Sequence, residues 1–200
     1  MKLVVGAEMG DALAHIGSHT YGEIALAGFA EILQLAQPQE GEVFLDLGSG
    51  TGKAVLLAAA LHPFSKAVGV EFVTPLYNAS TRLASHFQEN IVKKLPLYSS
   101  GKHSPPEIEM VLGDVTSVDW TCYGKKQQVS STLVFAACTC WSDETLADLI
   151  QKAGTLKKGS RLITMSRILK FDPKVWKQVS KSMARYGRGR MTFFIHLKIA

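Results

Sequence analysis

An α/β fold, a mostly parallel seven-stranded sheet with helices on both faces and a C-terminal antiparallel hairpin, is predicted by three features of the sequence. The stretch Val43 to Gly52, V-F-L-D-L-G-S-G-T-G, reads as a strand, a tight glycine turn and a helix N-terminus that runs through Lys53 into the apolar stretch Ala54 to Leu61. Short apolar runs then alternate with helical patterns as far as Met165, the order that builds parallel sheets with right-handed crossovers. Finally, Arg185 to Arg190, R-Y-G-R-G-R, places turn glycines ahead of a strand over Met191 to Ile199.

The 200 residues, 46% hydrophobic and 20% charged, suit one domain able to bury a core without disulfides or structural metal. Residues 1–36 read as an N-terminal lid and helix, 43–170 as the core and 173–199 as the hairpin. A net charge of +5 and a pI near 9.1 are compatible with an acidic partner, nucleic acid or nucleosome included. The apolar runs are too short to cross a bilayer, and Met1 to Gly6 lacks the apolar core of a signal peptide, so an intracellular protein without membrane contact is expected. Cys122, Cys138 and Cys140 form neither an even-numbered framework nor a C-x-x-C pair, which predicts reduced thiols and no metal site.

Along the chain, Thr20 and Glu23 form a T-x-x-E capping box before a helix over Ile24 to Ala36, with Ile24, Gly28, Ile32 and Leu35 on one face. Pro38 and Gly41 end it. The second strand is Lys66 to Glu71; Thr74 can cap, and Pro75 start, a helix whose apolar stripe is Leu76, Ala79, Leu83, Phe87 and Ile91. Leu97 to Pro106 is expected as a surface loop, Glu107 to Leu112 as the third strand, and Val118 to Ser131 as a polar loop with Lys125 and Lys126. A buried fourth strand, Thr132 to Ala137, points Cys138, Thr139, Cys140 and Trp141 at the crevice rim. Ser142 caps the next helix, Gly154 stops it, and Ser160 to Met165 is the fifth strand. Pro173 to Tyr186 admits a helix or a strand. The strand, paired with Met191 to Ile199, is expected because a lone final strand would leave the edge unpaired.

The glycine turn is a nucleotide-cofactor crevice, since glycines let a ligand approach the backbone without a Cβ in the way. A dinucleotide fingerprint spaces its glycines G-x-G-x-x-G; here Gly48, Gly50 and Gly52 bring the third one residue early. Asp46 is more telling, because a carboxylate repels pyrophosphate but pairs with the α-ammonium of a methionine moiety. That favours S-adenosylmethionine. Glu71, about twenty positions on, stands where an acid binds ribose hydroxyls, and Asp114, ending strand three, where a carboxylate can accept from an adenine amino group or simply shape a turn.

T-Y-G-E at Thr20 to Glu23, L-D-L-G-S-G-T-G at Leu45 to Gly52, G-V-E at Gly69 to Glu71, G-D at Gly113-Asp114 and M-T-F-F-I-H at Met191 to His196 together resemble the Dot-one family of histone lysine methyltransferases. The match runs over roughly Thr20 to Lys198, and the Y-G-E segment is its more specific part. The resemblance implies a Rossmann-like class I methyltransferase domain with S-adenosylhomocysteine as product. It implies that Tyr21 and Glu23 form a loop over the methionine end, that Asp46, Gly48, Gly50 and Gly52 hold that end, that Glu71 and Phe72 take the ribose side, and that Asp114 and Val115 take the adenine. It also implies a polar, often asparagine-containing segment after strand four; here Ala137 to Trp141 has no asparagine, and Thr139 and Trp141, with Tyr21, are the candidates to line the lysine channel. The leader before Tyr21 is short, so a longer chain, a partner or a changed substrate is expected to account for the missing wall.

Methyl transfer from a sulfonium is an in-line displacement, for which positioning can supply about 7–11 kcal/mol. A lysine nucleophile, with a free pKa of about 10.4, loses its proton more readily in an apolar channel; Trp141, Tyr21 and Phe135 are its candidate aromatics. A protein lysine methyltransferase, histone-type, is therefore expected. The alternatives are a methyltransferase acting on RNA or a small molecule, although the N-P-P-Y segment of base-amino enzymes is missing, and a non-catalytic module binding an acidic partner through Lys125, Lys126 and Arg185 to Arg190.

Overall fold

The computed structural model describes residues 24–125, 130–186 and 189–200; Thr20 to Glu23, Lys126 and Arg188 lie outside them. Strand β1 (Val43–Leu47) is buried along its whole length because it runs through the middle of the sheet, parallel to β2 (Lys66–Glu71) on one side and β4 (Thr132–Ala136) on the other. With β3 (Glu107–Leu112), β5 (Arg161–Met165), β6 (Trp176–Tyr186) and β7 (Gly189–Lys198), the order is β3-β2-β1-β4-β5-β7-β6, and β7 is antiparallel to both its neighbours, β5 and β6. The expected sheet and hairpin are therefore present, with Tyr186 opposite Gly189 across the turn. The order reverses between β1 and β4, the crevice where ligands of open α/β sheets bind.

Alternation along β1 divides the core. Phe44 packs under helices α1 (Leu26–Ala36), α2 (Lys53–Leu61) and α3 (Thr74–Asn90), while Leu45 and Leu47 pack on the opposite face with helix residues Leu146 and Leu149. Asp46, two residues beyond Phe44, thus projects on the α1–α3 side. No described helix is long and apolar enough to cross a membrane.

Two helices bury faces other than those the periodicity suggests. In α1 the buried residues are Gly28, Phe29, Ile32, Leu33 and Ala36, whereas Leu35 is exposed and Ile24 precedes the helix as a bridge to Tyr186. Phe29 decides the rotation: its ring stands edge-on to Phe44 at 5.9 Å and to Phe135 at 5.7 Å. In α3 the buried line is Leu76, Ser80, Ala84 and Phe87, and Ile91 is exposed. Small side chains at Ser80 and Ala84 let that helix come close to the glycine turn, where a Cβ at Gly52 would stand 3.1 Å from Ser80 Cβ. Thr74 makes no capping bond and is the first helical residue.

Two expected loops are structured instead. Pro96–Ser99 forms helix α4, anchored by buried Tyr98, whose hydroxyl lies 2.6 Å from the Ala59 carbonyl oxygen and 3.1 Å from that of His62. After β3, Trp120 is fully buried, its indole N–H donating to Val115 O at 3.1 Å, and helix α5 (Cys122–Lys125) follows. Helix α6 (Asp143–Ala153) is capped as expected, with Ser142 Oγ accepting from the Thr145 N–H at 3.2 Å.

In the hairpin, His196 on β7 is buried against the Phe171 ring, and its Nδ1 has no partner among the described residues. Burial holds its pKa below the ordinary value of 6.5, against a smaller opposing effect of its backbone bond to Leu162. The unfolded chain therefore takes up a proton first as pH falls, so stability drops as pH goes below about 6.5 and on through the lower folded value. Melting at pH 7.5 and 5.5 should show a larger acid loss for the wild type than for His196→Phe.

Candidate active site

A cavity opens at the C-terminal ends of β1 and β4, where the strand order reverses. Its lining includes Asp46, Gly48, Ser49 and Gly50 from the turn after β1, Lys53 and Ala54 from the start of α2, and Phe135, Cys140 and Trp141 from β4 and its exit. Ile24 and Tyr186 complete the wall.

The turn keeps its shape through left-handed backbone at Gly48 (φ 78°), Gly50 (φ 55°) and Gly52 (φ 79°), a conformation other residues adopt only at a cost. Its amides are spent inside the fold. Gly48 and Ser49 N–H donate to Val70 O at 2.9 and 3.0 Å, Gly52 N–H to Ser49 O at 2.8 Å, and Gly50 N–H to Glu71 Oε2 at 2.7 Å. A phosphate would find these four donors taken and a carboxylate nearby, so the turn suits a cationic ligand group better than an anionic one. Gly48 also makes room: a Cβ there would meet Trp141 Cζ2 at 3.5 Å, so the indole lies directly over the glycine.

Asp46 is 3% exposed and accepts no hydrogen bond from any described residue. Burial first, then the nearby Glu71 carboxylate, push its pKa up to about 8. A buried acid at a cavity wall with no donor among the described residues is suited to a cation or a proton. The α-ammonium of S-adenosylmethionine would be such a cation, and the residues present fit that group.

The other expected positions fall into three groups. Glu71 is buried under the turn, its second oxygen accepting from Val73 N–H at 2.8 Å, so one carboxylate pins both the glycine turn and the entry to α3. Phe72, 67% exposed, stands with Asp114 and Val115 at the ends of neighbouring β2 and β3, outside the cavity lining. Asp114 Oδ1 accepts from the Thr116 hydroxyl at 2.6 Å and its N–H at 2.7 Å, which hold its carboxyl below the usual range: the turn role that the sequence also admitted. Gly52 is not in the cavity lining; a Cβ there would stand 2.7 Å from Met110 Cε, so its smallness serves helix packing.

Thr139 is not in the cavity lining. It is exposed, its hydroxyl donates to Ser166 Oγ at 3.1 Å, and Cys140 takes the place at the cavity. Cys138 is turned inward with its Sγ 3.5 Å from Met165 O, and burial raises its thiol to about 11. Tyr21 and Glu23 lie outside the described residues. The residue that sequence reasoning missed is Tyr186, at the end of β6; no local pattern marks it, because only the hairpin register and its bridge to Ile24 bring it to the glycine turn.

Solved structures share this architecture. An RNA methyltransferase from Salinibacter ruber in complex with S-adenosyl-L-homocysteine is 20% identical, with a TM-score of 0.56 over 86% of this chain and 90% of that one. The rRNA methyltransferase aviRa from Streptomyces viridochromogenes is 12% identical, with a TM-score of 0.60 over 89% and 87%. At these identities the likeness is one of fold. No curated protein matches the chain. Residues 8–189 match the model of the family described as histone methylation protein DOT1, and the chain, an S-adenosylmethionine-dependent methyltransferase, belongs to that family.

Proposed function

We propose that the chain methylates a lysine side chain of a histone. The observation that carries this reading is Asp46, buried and accepting from no described residue, at the wall of a cavity whose lining also includes the aromatic residues Phe135, Trp141 and Tyr186. S-adenosylmethionine supplies the electrophilic methyl of its sulfonium. In this reading Asp46 holds the ammonium end; Gly48 and Gly50 leave room for the methionyl chain; Glu71, Phe72, Asp114 and Val115 lie along the ribose and adenine side; and Tyr21 and Glu23 close over the methionine end. Trp141, Phe135 and Tyr186 exclude water from the approaching lysine, which lowers its pKa and favours the neutral amine that can attack. Family membership supports a protein substrate.

The test is transfer of labelled methyl from S-adenosylmethionine to histones and nucleosomes, with the modified side chain located by mass spectrometry. Lysine methylation is the expected result; transfer to RNA or a small molecule with none to protein would overturn it. Tyr186→Ala should raise KM for the protein substrate by roughly 3- to 10-fold, the loss of one partly buried aromatic contact of about 1 kcal/mol. A matching fall in cofactor affinity would place that ring at the donor instead.

A further inference from the structure

Trp141 lies over Gly48, yet no described residue hydrogen-bonds its indole. The ring keeps its place through packing and through whatever holds its backbone. That backbone is irregular: between β4 and α6, residues 137–142 make one backbone bond among themselves, Trp141 N–H to Cys138 O at 3.3 Å. The other ties come from three consecutive residues at the end of β5. Met165 O stands 3.5 Å from Cys138 Sγ, and Ser166 Oγ accepts from the Thr139 hydroxyl at 3.1 Å. The Arg167 guanidinium then brackets the far end, with Nη2 on the Asp143 carboxylate and Nη1 3.5 Å from Trp141 O.

The turn that delivers Arg167 is strained. Ser166 has φ 65°, in the left-handed region that side chains other than glycine's rarely adopt. Its N–H donates to Thr192 O on β7 at 2.8 Å, the Arg167 N–H to Met165 O at 2.8 Å, and the Thr164 hydroxyl to Arg167 O at 2.6 Å. Strain of this kind persists only where the surroundings over-determine it, and it gathers at working sites. The ion pair it presents does little for the fold, because the Arg167 and Asp143 side chains are 39% and 91% exposed. Its effect is on the segment it brackets. We infer that Arg167 is a positioning residue, which holds Trp141 over the glycine turn and so keeps closed the wall that the target amine approaches. The inference rests on the proposed lysine reading. With Trp141 displaced, water reaches the amine, its charged form is favoured, and less neutral nucleophile is present at a given pH.

The experiment compares Arg167→Gln with the wild type in the whole chain. Of the three tryptophans, Trp120 and Trp176 are buried, so acrylamide quenching of fluorescence reads Trp141. Quenching should increase in the variant while Tm stays within about 2 °C, as for the loss of an exposed ion pair. In transfer to histone, kcat at pH 8 should fall about 3- to 10-fold and its rise with pH should move up by about 0.5–1 unit, one change read on two axes. A general loosening of the fold lowers the rate at every pH alike and moves no midpoint. Affinity for S-adenosylmethionine should stay within about 2-fold, because Asp46 holds the ammonium end. Asp143→Asn should give the same shift, and the double variant no more than either alone, since both remove one contact. Unchanged quenching in Arg167→Gln, an unmoved pH profile, or additive effects in the double variant would overturn the inference. Lysine methylation by the wild type with unchanged quenching in the variant defeats this inference alone. Increased quenching with no lysine methylation by the wild type defeats the proposed function alone.

Discussion

Replacing Asp46 with Asn is expected to weaken S-adenosylmethionine binding by about 10- to 100-fold, the worth of one hydrogen bond to a charged group, about 1.5–3 kcal/mol. The wild-type affinity should also depend on pH in a way the variant's does not. Desolvation and the neighbouring Glu71 keep Asp46 protonated in the free chain up to about pH 8, so an arriving ammonium must displace a proton. Affinity should therefore climb as pH rises toward 8. Calorimetry at pH 7 in buffers of different ionisation enthalpy should register close to one proton released by the wild type and none by Asp46→Asn. Equal cofactor affinity for both proteins would remove Asp46 from the donor site.

The same group sets a stability trend of opposite sign. Its folded pKa lies above the unfolded value, so the free folded chain keeps a proton that the unfolded chain sheds between about pH 4 and 8. Stability of the free chain should fall as pH rises across that window, and saturating cofactor should remove the fall. Thermal melts with and without S-adenosylmethionine at pH 5, 6.5 and 8 measure both.

Gly28→Ala is expected to destabilise the protein by about 1–3 kcal/mol, the usual cost of forcing an atom into a packed interface. On an open helix the same change would gain about 1 kcal/mol, so even the sign is diagnostic. A Cβ at Gly28 would stand 2.4 Å from the Arg185 carbonyl oxygen, a backbone atom of β6 with no rotamer to retreat into. Helix and hairpin would have to part, and with them Ile24 and Tyr186, which bridge beside the cavity. For a chain of this length each kcal/mol corresponds to about 2–4 °C in Tm. Leu26→Ala, at a site 55% exposed on the same helix, should stay within about 0.5 kcal/mol. A Gly28→Ala protein that melts higher than the wild type would show that α1 does not seat on β6 this closely.

The part of the cavity wall formed by the glycine turn was legible because it is local. Asp46, Gly48 and Gly50 follow one another on a strand and a turn, and their meaning comes from spacing and charge within ten residues. Glu71 was legible as an acid ending the next strand, but its bonds to Gly50 and Val73 were not, since no periodicity reports which donor a carboxylate meets. Thr139 and Cys140 show the limit most plainly. Both follow the fourth strand, and the choice between them depends on Ser166, 27 residues away, taking the threonine hydroxyl.

The sequence by itself determined the alternation of strands and helices and the place of the glycine turn, because period, glycine and proline act over a few neighbouring residues; the first strand of the hairpin, whose pattern also admitted a helix, followed from the need to pair the sheet's edge. Tertiary structure decided which helix faces are buried, that Gly28 and Gly52 serve close packing, and that Tyr186 stands beside the turn. Those outcomes depend on rings and backbones meeting across tens of positions or more, where one ring such as Phe29, held between two others, outweighs the local pattern of its own helix.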